Sequence, residues 1–330
     1  MTTYELEDAE FEALKGKTII VTGGASGIGR AAVKIAHKYG ANVAIADCNE
    51  AEGEALKAEL DDPDNILFHK TDVSDWDNVL SLFNATIAKF GNLHAVLSNA
   101  GINTEDFAAT IDKTDPSTGK LLPPGLKTMD VNLTGQIYMA KAALHYFGKF
   151  KDDGVKRQIS MTGSAASFID CPPLHLYCAS KMGVLGFLRG IRTQVEARNV
   201  TINMVAPWMT GQCSPSLLIL LSAFYLQATG TPRDDETGTD MVPAETPMLL
   251  EEFYNVWGEL PRNQPAGPAR ALLLPVVRPE VNGKSFYVAG NQIVEVEDRL
   301  HEAQPIWLGE QLSKHVDEGQ RRLIPLAPPM

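Results

Sequence analysis

The sequence predicts an α/β protein built on one doubly wound, parallel sheet of about seven strands flanked by helices. Short apolar, β-branched runs alternate with segments whose apolar residues recur at helical spacing. The runs are apolar at nearly every position, as expected for strands that helices cover on both faces. The 330 residues are 44% hydrophobic and 21% charged, which is ordinary for a soluble globular chain with a large core.

The predicted strands follow one another along most of the chain. They are the runs 17–22, 41–47, 65–73, 93–101, 157–164, 200–207 and 284–290. Helices are predicted between the first four strands. The first ends at Gly40, and the third begins at Ser74 and ends at Gly91.

Residues 1–330 are predicted to form a single domain with three additions to this alternation. Residues 1–16 are an N-terminal extension, 208–267 an insertion that covers the substrate, and 291–330 a C-terminal tail. The insertion follows the carboxyl end of a strand, where open α/β sheets bind ligands. The alternative is that it packs as extra core or as a contact between subunits.

Composition and charge exclude several classes of function. The net charge of −12 makes nucleic acid and anionic membranes poor partners. The longest apolar run, 217–226, is about half the length of a membrane span, and no secretory signal is recognisable at the N-terminus. Cys48, Cys171, Cys178 and Cys213 form no CxxC pair, so no metal site is expected and a cytoplasmic location is predicted.

The glycine-rich stretch "TGGASGIG" lies between the first predicted strand and the first predicted helix. It contains Gly23, Ser26, Gly27, Ile28 and Gly29. A helix N-terminus offers unpaired N–H groups and partial positive charge, and glycine lets a pyrophosphate approach the backbone. This context favours a dinucleotide-binding turn over a tight turn that needs glycine only for packing.

Asp47 ends the second predicted strand, 18 residues after Gly29. A carboxylate at this place can accept both ribose hydroxyls of NAD and would repel a 2′-phosphate. The next residue, Cys48, is neutral, and no Arg or Lys occupies positions 48–51. NAD is therefore predicted over NADP. The alternative is that Asp47 is only the N-cap of the next helix.

Three motifs taken together resemble those of the short-chain dehydrogenase/reductase family. They are the Gly-x-x-x-Gly-x-Gly turn, "NAG" at 99–101, and Tyr177-x-x-x-Lys181. The resemblance covers about residues 16–207 and the last strand. It implies a Rossmann-type fold, a nicotinamide cofactor, and a homodimer or homotetramer joined through helices near 131–148 and 175–197.

The resemblance also implies roles for individual residues around the cofactor. Asp72 and Val73 look like the adenine-contacting turn. Asn99, Ala100 and Gly101 resemble the segment that steadies the sheet beside the cofactor.

The same resemblance implies an Asn-Ser-Tyr-Lys set for catalysis. Ser164 lies 13 residues before Tyr177, at the family's usual spacing for the catalytic serine. Asn132 matches the helix asparagine that holds a water on the lysine.

The chain departs from the family pattern after the strand 200–207. Trp208 replaces a glycine, and Gln212 stands where the family has threonine. Pro207 is still expected to pack on the nicotinamide, and Thr210 to reach its carboxamide.

Tyr177 is predicted to act as general base and acid at the reacting hydroxyl. A tyrosine has a pKa of about 10 in water, so it needs help near neutral pH. Lys181 lies on the same helix face, and its ammonium together with oxidised nicotinamide would favour the phenolate. Ser164 would donate to the substrate oxygen.

The predicted substrate residues are Phe168, His175, Trp208, Leu217 and Leu221. A mostly apolar wall favours a bulky hydrophobic secondary alcohol or ketone over a hydroxy acid, which would require an arginine clamp. His175 is offset from Tyr177 on the helix and is expected to line the pocket rather than to catalyse. The tail weakly resembles that of larger members in fungal secondary metabolism, which suggests a natural-product substrate.

The principal hypothesis is therefore an NAD-dependent dehydrogenase for secondary alcohols. An NADPH-dependent ketoreductase of the same fold is the first alternative. A cofactor-binding cyclase or regulatory protein without net redox chemistry is the second.

Overall fold

The structure of the chain is a computed structural model that describes residues 3–104, 107–210 and 260–326. Nine strands in these ranges form one sheet, in the order β1-β9-β8-β7-β6-β5-β2-β3-β4. The strands are β1 (Thr3–Tyr4), β2 (Thr18–Thr22), β3 (Asn42–Asp47), β4 (Ile66–Lys70), β5 (Ala95–Ser98), β6 (Arg157–Thr162), β7 (Val200–Pro207), β8 (Ser285–Ala289) and β9 (Gln292–Glu295). Strands β2 to β8 are parallel to one another, whereas β9 is antiparallel to both β8 and β1.

Helices cover both faces of this sheet. They are α1 (Gly27–Lys38), α2 (Glu50–Leu60), α3 (Trp76–Phe90), α4 (Lys127–Met129), α5 (Gly135–Phe147), α6 (His175–Ile191), α7 (Ala266–Val277), α8 (Glu297–Glu302), α9 (Gln304–Leu308) and α10 (Glu310–Leu323). A π-helical turn, Asp130–Thr134, joins α4 to α5. In the described ranges, none of the helices has both the length and the apolar character that crossing a membrane requires.

Alternating residues of the buried strands face two separate cores. Ile19 and Val21 of β2 belong to the core under α1 and α7, while Ile20 belongs to the core under α3, α5 and α6. Successive side chains of a strand point to opposite faces, so an all-apolar strand needs cover on both. The predicted doubly wound sheet is confirmed.

The predicted number of strands is wrong, because nine are described rather than about seven. The segment after β8 turns back through Gly290 and Asn291, whose φ angles are +56° and +63°. Two consecutive residues in this left-handed region make a hairpin turn, and Gly-Asn between apolar runs is a known signal for one. The C-terminal tail thus supplies β9, and the N-terminal extension supplies the two-residue strand β1 beside it.

The predicted end of α3 is correct, the cap of α1 is Tyr39, one residue before the predicted Gly40, and one predicted start is also wrong by one residue. Gly40, just past α1, and Gly91, past α3, both have positive φ. Helix α3, however, is capped by Asp75, whose side chain accepts from the Asn78 N–H at 2.9 Å. Ser74 instead donates its hydroxyl to Asp72, an acceptor close in sequence that competes with the capping role.

Candidate active site

The glycine-rich turn places the N-terminus of α1 at the carboxyl end of β2. A Cβ on Gly29 would lie 2.0 Å from the Gly23 carbonyl oxygen, so only glycine lets the helix pack against the turn. Ser26 is the N-cap residue, yet its side chain makes no capping bond, and no acidic residue lies in the first turn. A Cβ on Gly27 would meet nothing within 4 Å. N–H donors beside open space fit a pyrophosphate, with Ile28 in the same helical turn.

Asp47 joins this turn to the start of α2. Its Oδ2 accepts from the Ala25 N–H at 3.0 Å, and its Oδ1 from the Asn49 N–H at 3.0 Å. Asn49, not Asp47, is the N-cap of α2, so the alternative interpretation of Asp47 is wrong. A carboxylate has about four acceptor positions, which leaves room for a ribose diol. The neighbouring Cys48 is exposed, and its pKa is raised by partial desolvation and then by the Asp47 charge.

The predicted adenine-side residues are held by contacts of their own. Asp72 Oδ1 accepts from both the N–H and the hydroxyl of Ser74, at 2.9 and 2.6 Å. Val73 is buried, and a Cβ on Gly135 would come within 2.8 Å of its Cγ2. This places Val73 against the start of α5.

The 99–101 segment fastens β5 to the glycine turn. The Thr22 hydroxyl accepts from the N–H groups of Asn99 and Ala100, at 2.9 and 3.0 Å. The Asn99 side chain donates to the carbonyls of Thr22 and Gly23. The ends of β5 and β2 are thereby tied together through neutral hydrogen bonds.

Lys181 lies buried on α6 with its Nζ 5.5 Å from the centre of the Tyr177 ring. The ammonium donates to the Thr162 carbonyl at the end of β6, at 3.0 Å. Desolvation lowers the pKa of Lys181 to about 8. The charge of Lys181 is therefore close to the phenol and sensitive to what else enters the site.

Asn132 occupies the π-helical turn between α4 and α5. Its side chain accepts from the Ile102 N–H and donates to the Ile102 carbonyl, both at 2.8 Å. It also donates to the Ser180 hydroxyl at 3.2 Å, which in turn donates to the Tyr177 carbonyl at 2.7 Å. A Cβ on Gly101 would lie 3.3 Å from Asn132 Oδ1 and 3.4 Å from Lys181 Nζ. Asn132 and Lys181 thus meet at Gly101.

Ser164 caps the 3₁₀ turn 165–167 that follows β6. Its hydroxyl accepts from the Ala166 N–H at 3.2 Å. Ser167 accepts from the Ser164 N–H and donates to the Lys181 carbonyl at 2.8 Å. The structure therefore brings the predicted Asn-Ser-Tyr-Lys residues to adjoining elements at the carboxyl ends of β5 and β6.

Sequence reasoning missed Ser167 and Ser180, which hold this set in place. Both are small polar residues beside predicted catalytic ones, in "SAAS" and "CASK". That adjacency is the signal that would have found them.

Tyr287 lies between two of the predicted substrate residues, and sequence reasoning missed it as well. Phe168 and Trp208 each lie 6.5 Å, ring centre to ring centre, from Tyr287 of β8. Partial burial raises the pKa of the Tyr287 phenol. The signal available was its place in the last predicted strand, where parallel strands end together.

The structure also describes three further residues predicted to contact the substrate or the nicotinamide. His175 is exposed at the start of α6 and contacts Phe107 at 5.6 Å. Pro207 ends β7, and the Thr210 hydroxyl donates back to the Trp208 carbonyl at 3.1 Å. Leu217 and Leu221 lie outside the described residues. Within those that are described, no three metal-binding side chains cluster.

Comparison with known proteins agrees with this geometry. The chain matches the model of the short chain dehydrogenase family over residues 17–213. The short-chain dehydrogenase/reductase prx4 of Penicillium roqueforti is 30% identical over 94% of this chain and 85% of its own length. The (+)-borneol dehydrogenase 1 of Salvia officinalis is 33% identical over 59% of this chain and 70% of its own.

A solved structure shares the fold. The 3-ketoacyl-(acyl-carrier-protein) reductase of Brucella melitensis, complexed with NADH, superposes with a TM-score of 0.62 at 21% identity, covering 84% of this chain and 98% of its own. Together with the family match, this likeness defines the class of protein. The chain belongs to the short chain dehydrogenase family and is an oxidoreductase built to use a nicotinamide cofactor.

Proposed function

We propose that the protein is an NAD-dependent oxidoreductase that interconverts a secondary alcohol and a ketone on a hydrophobic substrate. The observation that carries this proposal is the buried Lys181 ammonium beside the Tyr177 ring, 5.5 Å from its centre. A buried cation next to a phenol is an arrangement that favours phenolate and so makes a base of a tyrosine.

Each member of the set has a distinct task in this proposal. Tyr177 takes the hydroxyl proton during oxidation and returns it during reduction. Lys181 stabilises the phenolate, Ser164 donates to the substrate oxygen, and Asn132 holds a water that carries the proton onward. The nicotinamide ring, when bound, supplies the hydride acceptor in one direction and the hydride donor in the other.

The test of this function is Tyr177→Phe. Proton transfer by a positioned side chain is worth about 10²–10⁴-fold, so we expect kcat to fall by about 10³ while cofactor affinity changes little. Turnover is followed by nicotinamide absorbance and affinity by fluorescence titration. Product formation that survives Tyr177→Phe unchanged would falsify the redox mechanism and favour the non-redox alternative.

The choice of NAD rests on Asp47. Its carboxylate is fixed between the glycine turn and α2, where a 2′-phosphate would meet negative charge. Asp47→Ala is expected to lower the affinity for NAD and to raise the affinity for NADP relative to that for NAD. If the unaltered protein already uses NADP as well as NAD, the NADPH-dependent alternative is preferred.

The proposed substrate class rests on the aromatic wall of Phe168, Trp208 and Tyr287. These three rings present a mostly apolar surface, which suits a hydrophobic alcohol or ketone better than a carboxylate substrate. The name of the borneol dehydrogenase indicates that one relative oxidises a compact apolar alcohol. A panel of bicyclic alcohols and hydroxy acids, compared by kcat/KM, tests this preference.

We also infer that the protein self-associates through the outer face of α6. Met182 is 45% exposed, and a Cβ on Gly186 or Gly190 would meet nothing within 4 Å. Glycine inside a helix costs about 1 kcal/mol relative to alanine, and no contact with the described residues requires it at these positions. Close approach of a helix from a second subunit would require glycine at these positions.

Analytical ultracentrifugation of Gly186→Arg tests the interface. We expect a monomer from this variant and a dimer or tetramer from the unaltered chain. Leu312→Arg on α10, at a position that is also exposed, is the control and should leave the assembly intact. An assembly unchanged by Gly186→Arg would place the interface elsewhere.

A further inference from the structure

Asn103 is a buried amide whose two ends lack partners. The residue is 6% exposed, and neither its Oδ1 nor its Nδ2 has a hydrogen-bond partner in the described part of the chain. Burying an unpaired amide costs free energy, so native proteins rarely leave one without a use. Four buried side-chain amides among the described residues have an unpaired atom, and only in Asn103 are both ends unpaired.

The backbone on both sides of Asn103 is fastened. The Asn132 side chain holds the N–H and the carbonyl of Ile102, each at 2.8 Å. The Thr104 N–H donates to the Thr128 hydroxyl at 3.2 Å. Because its neighbours are fixed, Asn103 cannot easily shift to find a partner within the chain.

The direction of the chain places Asn103 on the side of the catalytic set. Ile102 lies in an extended run, because its N–H and its carbonyl both face the Asn132 side chain. In such a run the side chains of residues 101 and 103 share a side. A Cβ at Gly101 would point to Asn132 Oδ1 and Lys181 Nζ, at 3.3 and 3.4 Å. Two extended residues span at most about 7 Å, so Asn103 lies next to that point.

Other buried asparagines show what a structural role looks like. Asn203 of β7 donates to the Val281 carbonyl at 2.9 Å and accepts from the Lys284 N–H at 3.0 Å. Both ends of its amide are used to join β7 to the segment before β8. Asn103 has no such connection, although it is similarly buried.

We propose that Asn103 binds a second oxygen function of the substrate, a hydroxyl close to the reacting carbon. A hydroxyl can donate to Oδ1 or accept from Nδ2, so it suits either end of the amide. The preferred substrate is then a hydrophobic secondary alcohol or ketone that carries one further hydroxyl, and Asn103 selects it against the same skeleton without that group. This inference rests on the proposed function and deepens it.

The first experiment compares Asn103→Leu with Asn203→Leu in the protein without ligands. Leucine has a similar volume and no polar atoms, so it removes the cost of the unpaired amide at position 103. We expect Asn103→Leu to raise the melting temperature by about 1–2 °C and Asn203→Leu to lower it by several degrees. A fall at position 103 that matches the control overturns the proposal, because the amide would then be satisfied inside the protein.

The second experiment measures selectivity with NADH and two bicyclic ketones, a decalone and its hydroxylated analogue. We expect the unaltered enzyme to favour the hydroxylated ketone and Asn103→Leu to reduce the ratio of kcat/KM values about tenfold. The affinity for NADH, measured by fluorescence, should be unchanged. An unchanged ratio, or a loss of NADH affinity in its place, overturns the proposal.

The two experiments separate this inference from the function on which it rests. Failure of the unaltered protein to reduce either ketone counts against the proposed substrate class. The melting comparison requires no turnover, so a fall at position 103 still overturns the role of Asn103. A rise in melting temperature together with a lost preference for the hydroxyl supports it.

Discussion

The two halves of helix α6 carry positive charge in opposite ways. In the C-terminal half, Arg189 shares the carboxylate of Glu297 with the C-cap residue Arg192, through two bonds of 3.0 Å and one of 2.7 Å. In the N-terminal half, Lys181 is more deeply buried and donates to a single carbonyl, that of Thr162. Across the described ranges, no carboxylate forms an ion pair with it.

This difference separates the charges that the chain neutralises from one that it leaves available for the proposed chemistry. The arginines fasten the tail at α8 to α6, and their charge is neutralised within the chain. Lys181 pays a desolvation penalty that the chain does not offset with an opposite charge. A cation left in this state can act on Tyr177 and can bind the hydroxyls of a cofactor ribose.

The largest effect that tests this contrast is on turnover. Lys181→Met removes the charge beside Tyr177, so we expect kcat to fall about 10³-fold and the remaining activity to shift to higher pH. Cofactor affinity should fall as well. Arg189→Met, on the same helix, is the control and should keep kcat within about twofold. Equal losses from both variants would erase the distinction between the two halves.

The second effect is on stability, and its sign is opposite. The pKa of Lys181 is lowered from 10.5 to about 8 in the folded protein. At about 1.4 kcal/mol per pKa unit, the charged lysine costs up to about 3 kcal/mol below pH 8. We therefore expect Lys181→Met to increase the free energy of unfolding at pH 7, measured by denaturant titration without cofactor.

The pH dependence of that gain follows from the same shift. Below pH 8 the lysine is charged in both states, and the full penalty applies. Between about pH 8 and pH 10.4 the folded lysine is neutral while the unfolded one still binds a proton, so the stability of the unaltered protein rises with pH. The advantage of Lys181→Met should shrink over this range. A constant difference would show that Lys181 is not desolvated.

The third effect concerns the other half of the helix. Glu297→Gln leaves two arginines without their shared carboxylate. Breaking a buried pair can cost several kcal/mol, but the arginines are 42% and 34% exposed, so we expect a loss of about 2 kcal/mol. Glu310→Gln, whose exposed pair with Lys314 is 3.8 Å long, should change stability by less than about 0.5 kcal/mol. Similar values for the two variants would contradict the structural role of Glu297.

The smallest expected effect is that of Ser180→Ala. It removes a neutral link between Asn132 and Tyr177, with bonds of 3.2 and 2.7 Å. We expect the free energy of unfolding to fall by about 1 kcal/mol and kcat to fall by a larger factor than KM rises. Ser180→Thr, which keeps the hydroxyl, should restore part of kcat. Unchanged kinetics in Ser180→Ala would mean that Asn132 is positioned by Ile102 alone.

Much of the fold was predictable because its signals are local. The runs at 17–22 and 41–47 are apolar throughout, and Gly40 and Gly91 end helices by accepting positive φ. Strand β9 also had a local signal, the Gly-Asn turn before it, whereas β1 was missed for the opposite reason. A two-residue strand has no periodicity to detect, and it exists only because β9 offers it a free edge.

The predicted catalytic residues were found because their spacing resembles that of the family, whereas the residues that support them were not. Ser164 precedes Tyr177 by 13 residues, and Lys181 follows it by four, so one short segment contains all three. Tyr287 is more than 100 residues away and joins Phe168 and Trp208 only because β7 and β8 pair. No short sequence pattern predicts that two strands distant in sequence will pair.

The sequence by itself determined the doubly wound sheet, the dinucleotide turn and the candidate proton-transfer residues, because each follows from residue type and short-range spacing. Only the tertiary structure decided which polar groups are satisfied. Asn103 and Asn203 are the same residue type and are both buried, yet one is left unpaired and the other joins two segments. Lys181 and Arg192 differ in the same way. A hydrogen bond or ion pair depends on the distance between elements that only folding brings together. Which polar groups are satisfied, and which stay available to a ligand, is therefore decided by the tertiary structure.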